Sequence, residues 1–214
     1  SGGVLNFLKE DASLNQKTYR VTTKKHIYDI SLTVWSLLIS DEEELGMVND
    51  YLVRNIVGSL SNSATGYYKL DEDIAMTKDI TNANRAQYSL GYISDTVATP
   101  VMKVVYDGNG HKISNWVAVN QMCSLICNTS DETVVKNLTI YGSVGGTGDI
   151  SKGLLVSRNH GGRFENIEAV LSVNSAGKAD ENSSSLLGST FGSWGDKMVI
   201  SVDNVRIYDG NEAV

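Results

Sequence analysis

Val135-Lys136-Asn137-Leu138-Thr139-Ile140, Phe164-Glu165-Asn166-Ile167-Glu168-Ala169 and Val202-Asp203-Asn204-Val205-Arg206-Ile207 share one pattern, apolar-x-Asn-apolar-x-apolar. Ile113-Ser114-Asn115-Trp116-Val117-Ala118 is a fourth copy. A second element, Leu125-Ile126, Leu154-Leu155 and Leu186-Leu187, precedes the last three copies. Ordered elements at unequal intervals are what a solenoid produces when its rungs keep their strands and vary their loops. Each rung contributes short parallel strands about 4.8 Å from those above and below. No rung buries its apolar face alone, but stacking aligns Val, Ile and Leu into one core. An Asn at a corner tolerates bridge or left-handed backbone, and its amide can stack on the next Asn. The pattern predicts a mainly β chain, a parallel β-solenoid of three to four rungs over residues 67–214. Asn137, Asn166 and Asn204 should stack at one corner, with Leu138, Ile167 and Val205 on parallel neighbours. An antiparallel sandwich shares the short strands and turns but leaves the returning Asn unexplained.

Upstream of the repeat, residues 67–70, 74–76, 102–106 and 112–119 read as strands, and residues 77–99 as a polar excursion ending at Pro100. Ser40-Asp41-Glu42-Glu43 has the form of a helix start, with Ser40 capping the amide of Glu43 and Glu43 reaching back. Leu45, Val48, Leu52 and Ile56 follow at helical spacing. Residues 41–66 are thus expected to be a capping helix running to about Ile56, then a polar loop from Gly58 to Gly66. Tyr19 and Val21 share one face of an alternating run, and Tyr28, Ile30, Leu32 and Val34 share another. That alternation predicts a β-hairpin turning near Lys24-Lys25 within residues 1–40, which could be the end of a preceding β-domain. Residues 1–16 read either as the start of a short helix or as a linker.

The composition narrows the function classes. Eighteen basic against 25 acidic residues give a net charge of −7, which disfavours binding to nucleic acid or anionic membranes. The longest nearly unbroken apolar run, residues 32–39, is far short of the ~20 residues that cross a bilayer. Ser1-Gly2-Gly3-Val4 lacks the basic start and apolar stretch of a signal peptide. Cys123 and Cys127 are the two cysteines. Four residues apart on a strand they lie about 13 Å apart, too far for a disulfide, so both read as packed free thiols.

Gly153-Leu154-Leu155-Val156-Ser157-Arg158-Asn159-His160-Gly161-Gly162-Arg163-Phe164-Glu165-Asn166 resembles the GLUG motif, a repeat of bacterial surface proteins. Ser157 and Cys127 stand where that motif has glycine, and the last repeat carries an inserted loop at residues 191–197. Tyr106-Asp107-Gly108-Asn109-Gly110-His111-Lys112-Ile113-Ser114-Asn115 is similar to a segment found upstream of such repeats, and residues 66–74 and 40–45 to the strand and entry that open those domains. The resemblance covers roughly residues 38–210. It implies a right-handed parallel β-helix on an exported, cell-surface bacterial protein, with relatives among adhesin-like chains and alongside zinc proteases that cleave immunoglobulin A. It carries no catalytic motif onto this chain.

No Walker loop, His-Glu-x-x-His motif or nucleophile elbow occurs. His26, His111 and His160 are widely separated, and Asp107-Gly108-Asn109-Gly110-His111 reads as a tight turn instead of a calcium loop. No cofactor, metal ligand or catalytic residue is therefore assigned. Carboxylates that a β-helix lyase or glycosidase would need are Asp131, Glu132, Asp149, Glu165, Glu168 and Asp203. Ser114, Lys136, Glu165 and Asp203 are expected to form one solvated outer column. Sugar rings stack on exposed aromatic planes beside polar groups. The candidates for such contact are Trp194 in a glycine-flanked loop, the neighbouring Asp196, and Tyr141, Tyr208 and Asp209. The expectation is a non-enzymatic, extracellular, adhesin-like module that binds a glycan or host-surface component. The alternatives are a carbohydrate-active β-helix enzyme and a structural spacer of a larger surface protein or protease. Few residues follow the last copy of the pattern, so the chain is expected to belong to a longer protein, its last rung frayed or covered by a neighbour.

Overall fold

Alternation of β-branched and aromatic residues makes the first elements strands. β1 (Val4–Asp11), β2 (Gln16–Thr22) and β3 (Ile27–Thr33) form an antiparallel sheet in that order. The computed structural model describes residues 4–11, 16–57, 60–93, 101–145, 153–171, 186–190 and 199–209. The turn falls at Lys24-Lys25, where the Thr23 amide donates to the His26 carbonyl at 2.8 Å. Register pairs Tyr19 with Ile30 and Val21 with Tyr28, while Arg20 and Asp29 form a two-pronged ion pair at 2.9 and 3.0 Å. Residues 4–11 are neither helix nor linker: their backbone groups pair with β2, Phe7 opposite Tyr19. The expected hairpin is thereby a three-stranded sheet, which is the smallest number of strands that is ordinarily stable.

The segment after residue 36 differs most from expectation. β4 (Leu37–Ile39) leads to a single helical turn, α1 (Glu42–Leu45), and the chain then runs through turns into β5 (Val53–Val57). The cap is one residue later than the sequence suggests. Asp41 Oδ1 accepts from the Glu44 amide at 2.8 Å, and Glu44 Oε2 accepts from the Ser40 amide at 2.7 Å. Leu45, Val48 and Leu52 are buried as their spacing predicts, but no helix reaches Ile56. Gly46 ends the turn, and the β-branched Val53 and Val57 pair antiparallel with β6 (Leu60–Leu70). That strand occupies most of what reads as a polar loop. Its inward positions are Ala64, Gly66, Tyr68 and Leu70. A Cβ on Gly66 would lie 2.5 Å from the Tyr68 hydroxyl, so this glycine makes room for the ring.

Downstream, strands come in parallel sets. β7 (Ile74–Ala75), α2 (Arg85–Tyr88), β8 (Val101–Asp107), β9 (Lys112–Ala118), β10 (Ile126–Asn128), β11 (Val134–Val144), β12 (Val156–Asn159), β13 (Gly162–Leu171), β14 (Leu187–Thr190) and β15 (Ile200–Asp209) follow in order. β4, β6, β8, β11, β13 and β15 lie side by side and all parallel, in a nine-stranded sheet curled into a half-barrel. β10, β12 and β14 form a second, three-stranded parallel sheet. Leu138, Ile167 and Val205 sit on parallel neighbours, as the repeat requires. The polar excursion is itself paired, Ile80 bridging Ala118 and Leu90 bridging Ile126.

One continuous core joins both sheets. It includes Val135, Leu138, Ile140, Phe164, Ile167 and Ala169 from the curled sheet, and Leu125, Ile126, Leu154, Leu155 and Val156 from around the smaller one. Cys123 and Cys127 are buried thiols, neither of them in a disulfide. The buried Ser157 hydroxyl is satisfied by a contact with the Ser124 hydroxyl at 2.6 Å. The chain is mainly β with a core of parallel strands.

Candidate functional site

The corner asparagines decide where side chains point. Asn137, Asn166 and Asn204 have φ of 53°, 52° and 50°, left-handed backbone that Asn adopts at little cost. Their amides form a ladder: Asn204 Nδ2 donates to Asn166 Oδ1 at 2.9 Å, and Asn166 Nδ2 to Asn137 Oδ1 at 3.0 Å. The expected stacking is present. Its foot is Asp107, whose Oδ1 accepts from Asn137 Nδ2 at 3.1 Å.

Asn115 is also left-handed, with φ of 59°, but it is not in the ladder. The register between β9 and β11 shifts at this point, Ile113 facing Ile140 and Trp116 facing Gly142, so Ser114 and Asn115 form a bulge. The tight turn Asp107-Gly108-Asn109-Gly110 takes the corner place in that rung, with the Asn109 amide bonded to Asp107 Oδ1 at 2.9 Å. The outer column is accordingly Asp107, Lys136, Glu165 and Asp203. Ser114 does not belong to it, because the bulge puts Ser114 beside Ala75. Lys136 Nζ lies 3.3 Å from Asp107 Oδ2, and Arg163 Nε 2.7 Å from Glu165 Oε1.

Beyond the corner, alternation turns every second side chain outward. Thr139, Glu168 and Arg206 are in register as one outward row, and Tyr141, Val170 and Tyr208 as the next. Tyr141 and Tyr208 are 37% and 38% exposed. Two strand spacings place their backbones about 10 Å apart. Alongside runs a shallow groove of about 310 Å³, lined by the ladder together with Thr139, Glu168 and Arg206. Each ladder amide spends one N–H on its neighbour and retains another for an incoming acceptor. The arrangement offers two phenol rings, a carboxylate, a guanidinium, a hydroxyl and amides on one face.

Two sequence candidates, Tyr141 and Tyr208, are thus brought onto one row. Trp194, Asp196 and Asp149 lie outside the described residues, as does the loop 191–197. Asp209 ends β15, in register with Leu171. Glu132 is paired with Lys103 at 3.1 Å, and Asp131 Oδ1 accepts from the Val199 amide at 3.1 Å. These two border a second groove, of about 270 Å³, with Val105 and Val134 on its floor and Tyr67, Lys103 and Arg163 around it. Tyr67, Lys103, Thr139 and Arg206, the register neighbour of Glu168, carry no motif. Counting two residues back from each candidate tyrosine would have found Thr139 and Arg206.

Of the histidines, His111 lies 3.2 Å from Asp73, which also accepts from the Lys112 amide at 3.1 Å. That backbone hydrogen bond, reinforced by His111 and Lys112, holds the Asp73 carboxyl below its ordinary range. Burial lowers the His160 imidazole, and the nearby Arg158 charge adds to it. Among the described residues, no three His, Cys, Asp or Glu side chains gather in a metal-binding group.

Against known proteins the chain finds no match: no family model, no curated protein and no solved structure aligns with it significantly.

Proposed function

We propose that the chain is a non-enzymatic module of an extracellular bacterial surface protein, built as a short right-handed parallel β-helix, that binds glycans on its outer face. The observation that carries the binding is the in-register row of Tyr141, Val170 and Tyr208 beside Thr139, Glu168 and Arg206. Alternate rings of an extended pyranose chain recur at about the spacing of the two tyrosine backbones, which is twice the strand spacing. A sugar's apolar face stacks on a phenol ring, while its hydroxyls meet charged and amide groups at the rim. The β-helix reading is supported by the repeated delivery of one short and one long parallel strand, β10 and β11, β12 and β13, β14 and β15. The surface location and adhesin-like role are supported by the GLUG-like residues 153–166.

A glycan array on the intact chain, followed by titration of the best ligand, tests the binding. Tyr141→Ala and Tyr208→Ala should each weaken it about tenfold, taking an aromatic platform as worth 1–3 kcal/mol, while Tyr67→Ala leaves it unchanged. Ligands unaffected by either tyrosine would overturn this assignment. Turnover of the ligand, lost in Glu165→Gln, would make the module an enzyme instead.

A further inference from the structure

The nine-stranded sheet has two unlike ends. At one, α1 and the turn after it bury Leu45, Val48 and Leu52 over β4. At the other, β15 pairs with β13, and among the described residues no strand pairs with its far side. Its inward row stays open to solvent: Val202 is 58% and Ile207 54% exposed, whereas Phe164 and Ala169, their partners one strand in, are 1% and 0% exposed. A row of apolar side chains beside backbone groups in strand conformation is a template for another strand.

We infer that this edge takes one further parallel strand, from a separate polypeptide segment of the pattern apolar-Lys-Asn-apolar-x-apolar. Three features of this edge specify the occupant. The inward positions Val202, Val205 and Ile207 call for apolar residues in the same places. The ladder has a direction, each amide donating to the oxygen of the rung before it. Asn204 Oδ1 is therefore the acceptor for the next amide, and the incoming residue must also be one that accepts left-handed backbone, which selects Asn. The outer column runs Asp107, Lys136, Glu165, Asp203. It alternates in charge until its last two members, which are both acidic, so Lys is the complement next to Asp203. Asn204 and β15 border both this edge and the glycan groove, but the peptide titration below contains no glycan, so failure at the edge and failure of glycan binding are read separately.

The probe is a labelled peptide with the sequence of residues 133–142, which carries Lys136-Asn137, titrated against the full chain by fluorescence anisotropy. Saturable binding is expected, weakened about fivefold by the peptide change Asn137→Ala. The peptide change Lys136→Glu should weaken it severalfold, and Asp203→Lys in the chain should reverse that preference, since position 203 is exposed and tolerant of the swap. Asn204→Gly, which keeps the left-handed backbone, should remove the advantage of the Asn peptide. No binding, equal binding of the Asn137→Ala peptide, or a preference that Asp203→Lys fails to reverse would overturn the inference. So would a chain that is dimeric at the same concentration and becomes monomeric with Val202→Lys, because a second copy would then occupy the edge.

Discussion

Asn166 does two jobs that can be separated by substitution. It holds a φ of 52° and passes one hydrogen bond to Asn137 while receiving another from Asn204. Alanine forfeits both roles and should cost about 2 kcal/mol, whereas glycine keeps the backbone freedom and should cost about 1 kcal/mol. Urea denaturation of the two variants checks the order; equal losses would mean that the ladder, and not the backbone, carries the whole effect. His160 gives a pH signature. Its folded pKa is depressed, by burial first and Arg158 second. Below the ordinary histidine range, the unfolded chain takes up a proton that the folded chain resists. Stability from this group is thus complete above about pH 6.5 and is lost as pH falls toward the folded value. The melting temperature should drop between pH 7.5 and pH 5.5, and less so in His160→Gln. An unchanged drop would remove His160 as its source.

Among the elements, β6 shows why small residues mislead. Ser, Asn, Thr and Gly between residues 61 and 66 look like a loop, yet Gly66 lies against the Tyr68 ring, where any Cβ would collide with it. The Tyr68 hydroxyl is anchored on the Val48 carbonyl at 2.8 Å, so the ring cannot step aside. Gly66→Ala should cost about 1–3 kcal/mol as an overpacked site, and adding Tyr68→Leu should recover part of it in a double-mutant cycle. The α1 cap is smaller in scale: Asp41→Ala should cost about 1 kcal/mol in thermal or urea unfolding. The helix expected there was legible in its cap type and in its buried face. It was not legible in its length, because Leu45, Val48 and Leu52 satisfy a helical turn followed by tight turns as well as a continuous helix. Asn49 helps decide the outcome, its Nδ2 donating to Ser89 O at 2.9 Å and its Oδ1 accepting from the Gly91 amide at 2.8 Å. That tie to a segment some forty residues away has no local sequence signal.

For the whole molecule, the core cluster of described side chains begins at Leu37, and residues 17–33 contribute none to it. Removing residues 1–34 should therefore leave the parallel sheets folded, with near-ultraviolet dichroism and thermal midpoint close to those of the full chain. Loss of cooperative unfolding on that truncation would show that the antiparallel sheet supports the core. Interior fit is tight where neighbouring parallel strands touch: a Cβ on Gly142 would lie 2.1 Å from the Trp116 carbonyl oxygen. The parallel sheets accordingly tolerate variation in their loops far better than at such inward contacts.

Legible in the residues alone were the strand-rich class, the corner positions of Asn137, Asn166 and Asn204, and the inward rows. These follow from local physics: φ preference belongs to a residue and its neighbours, and period-two alternation is written along one strand. The ladder also followed, once parallel stacking was assumed, because identical corners in successive rungs superpose. Only the tertiary structure decided which residues became neighbours across rungs. Asn115 satisfies the same six-residue pattern but falls in a bulge, and Asp107 takes the column place assigned to Ser114. Tyr141 and Tyr208 come into one row through Val170, a residue with no signal of its own. Register depends on how strands separated by loops of unequal length compete for the same backbone partners, and a one-residue shift turns an inward side chain outward. That competition is settled by the packed core as a whole, so the outer face, where the function is proposed to lie, becomes visible only when the strands are laid side by side.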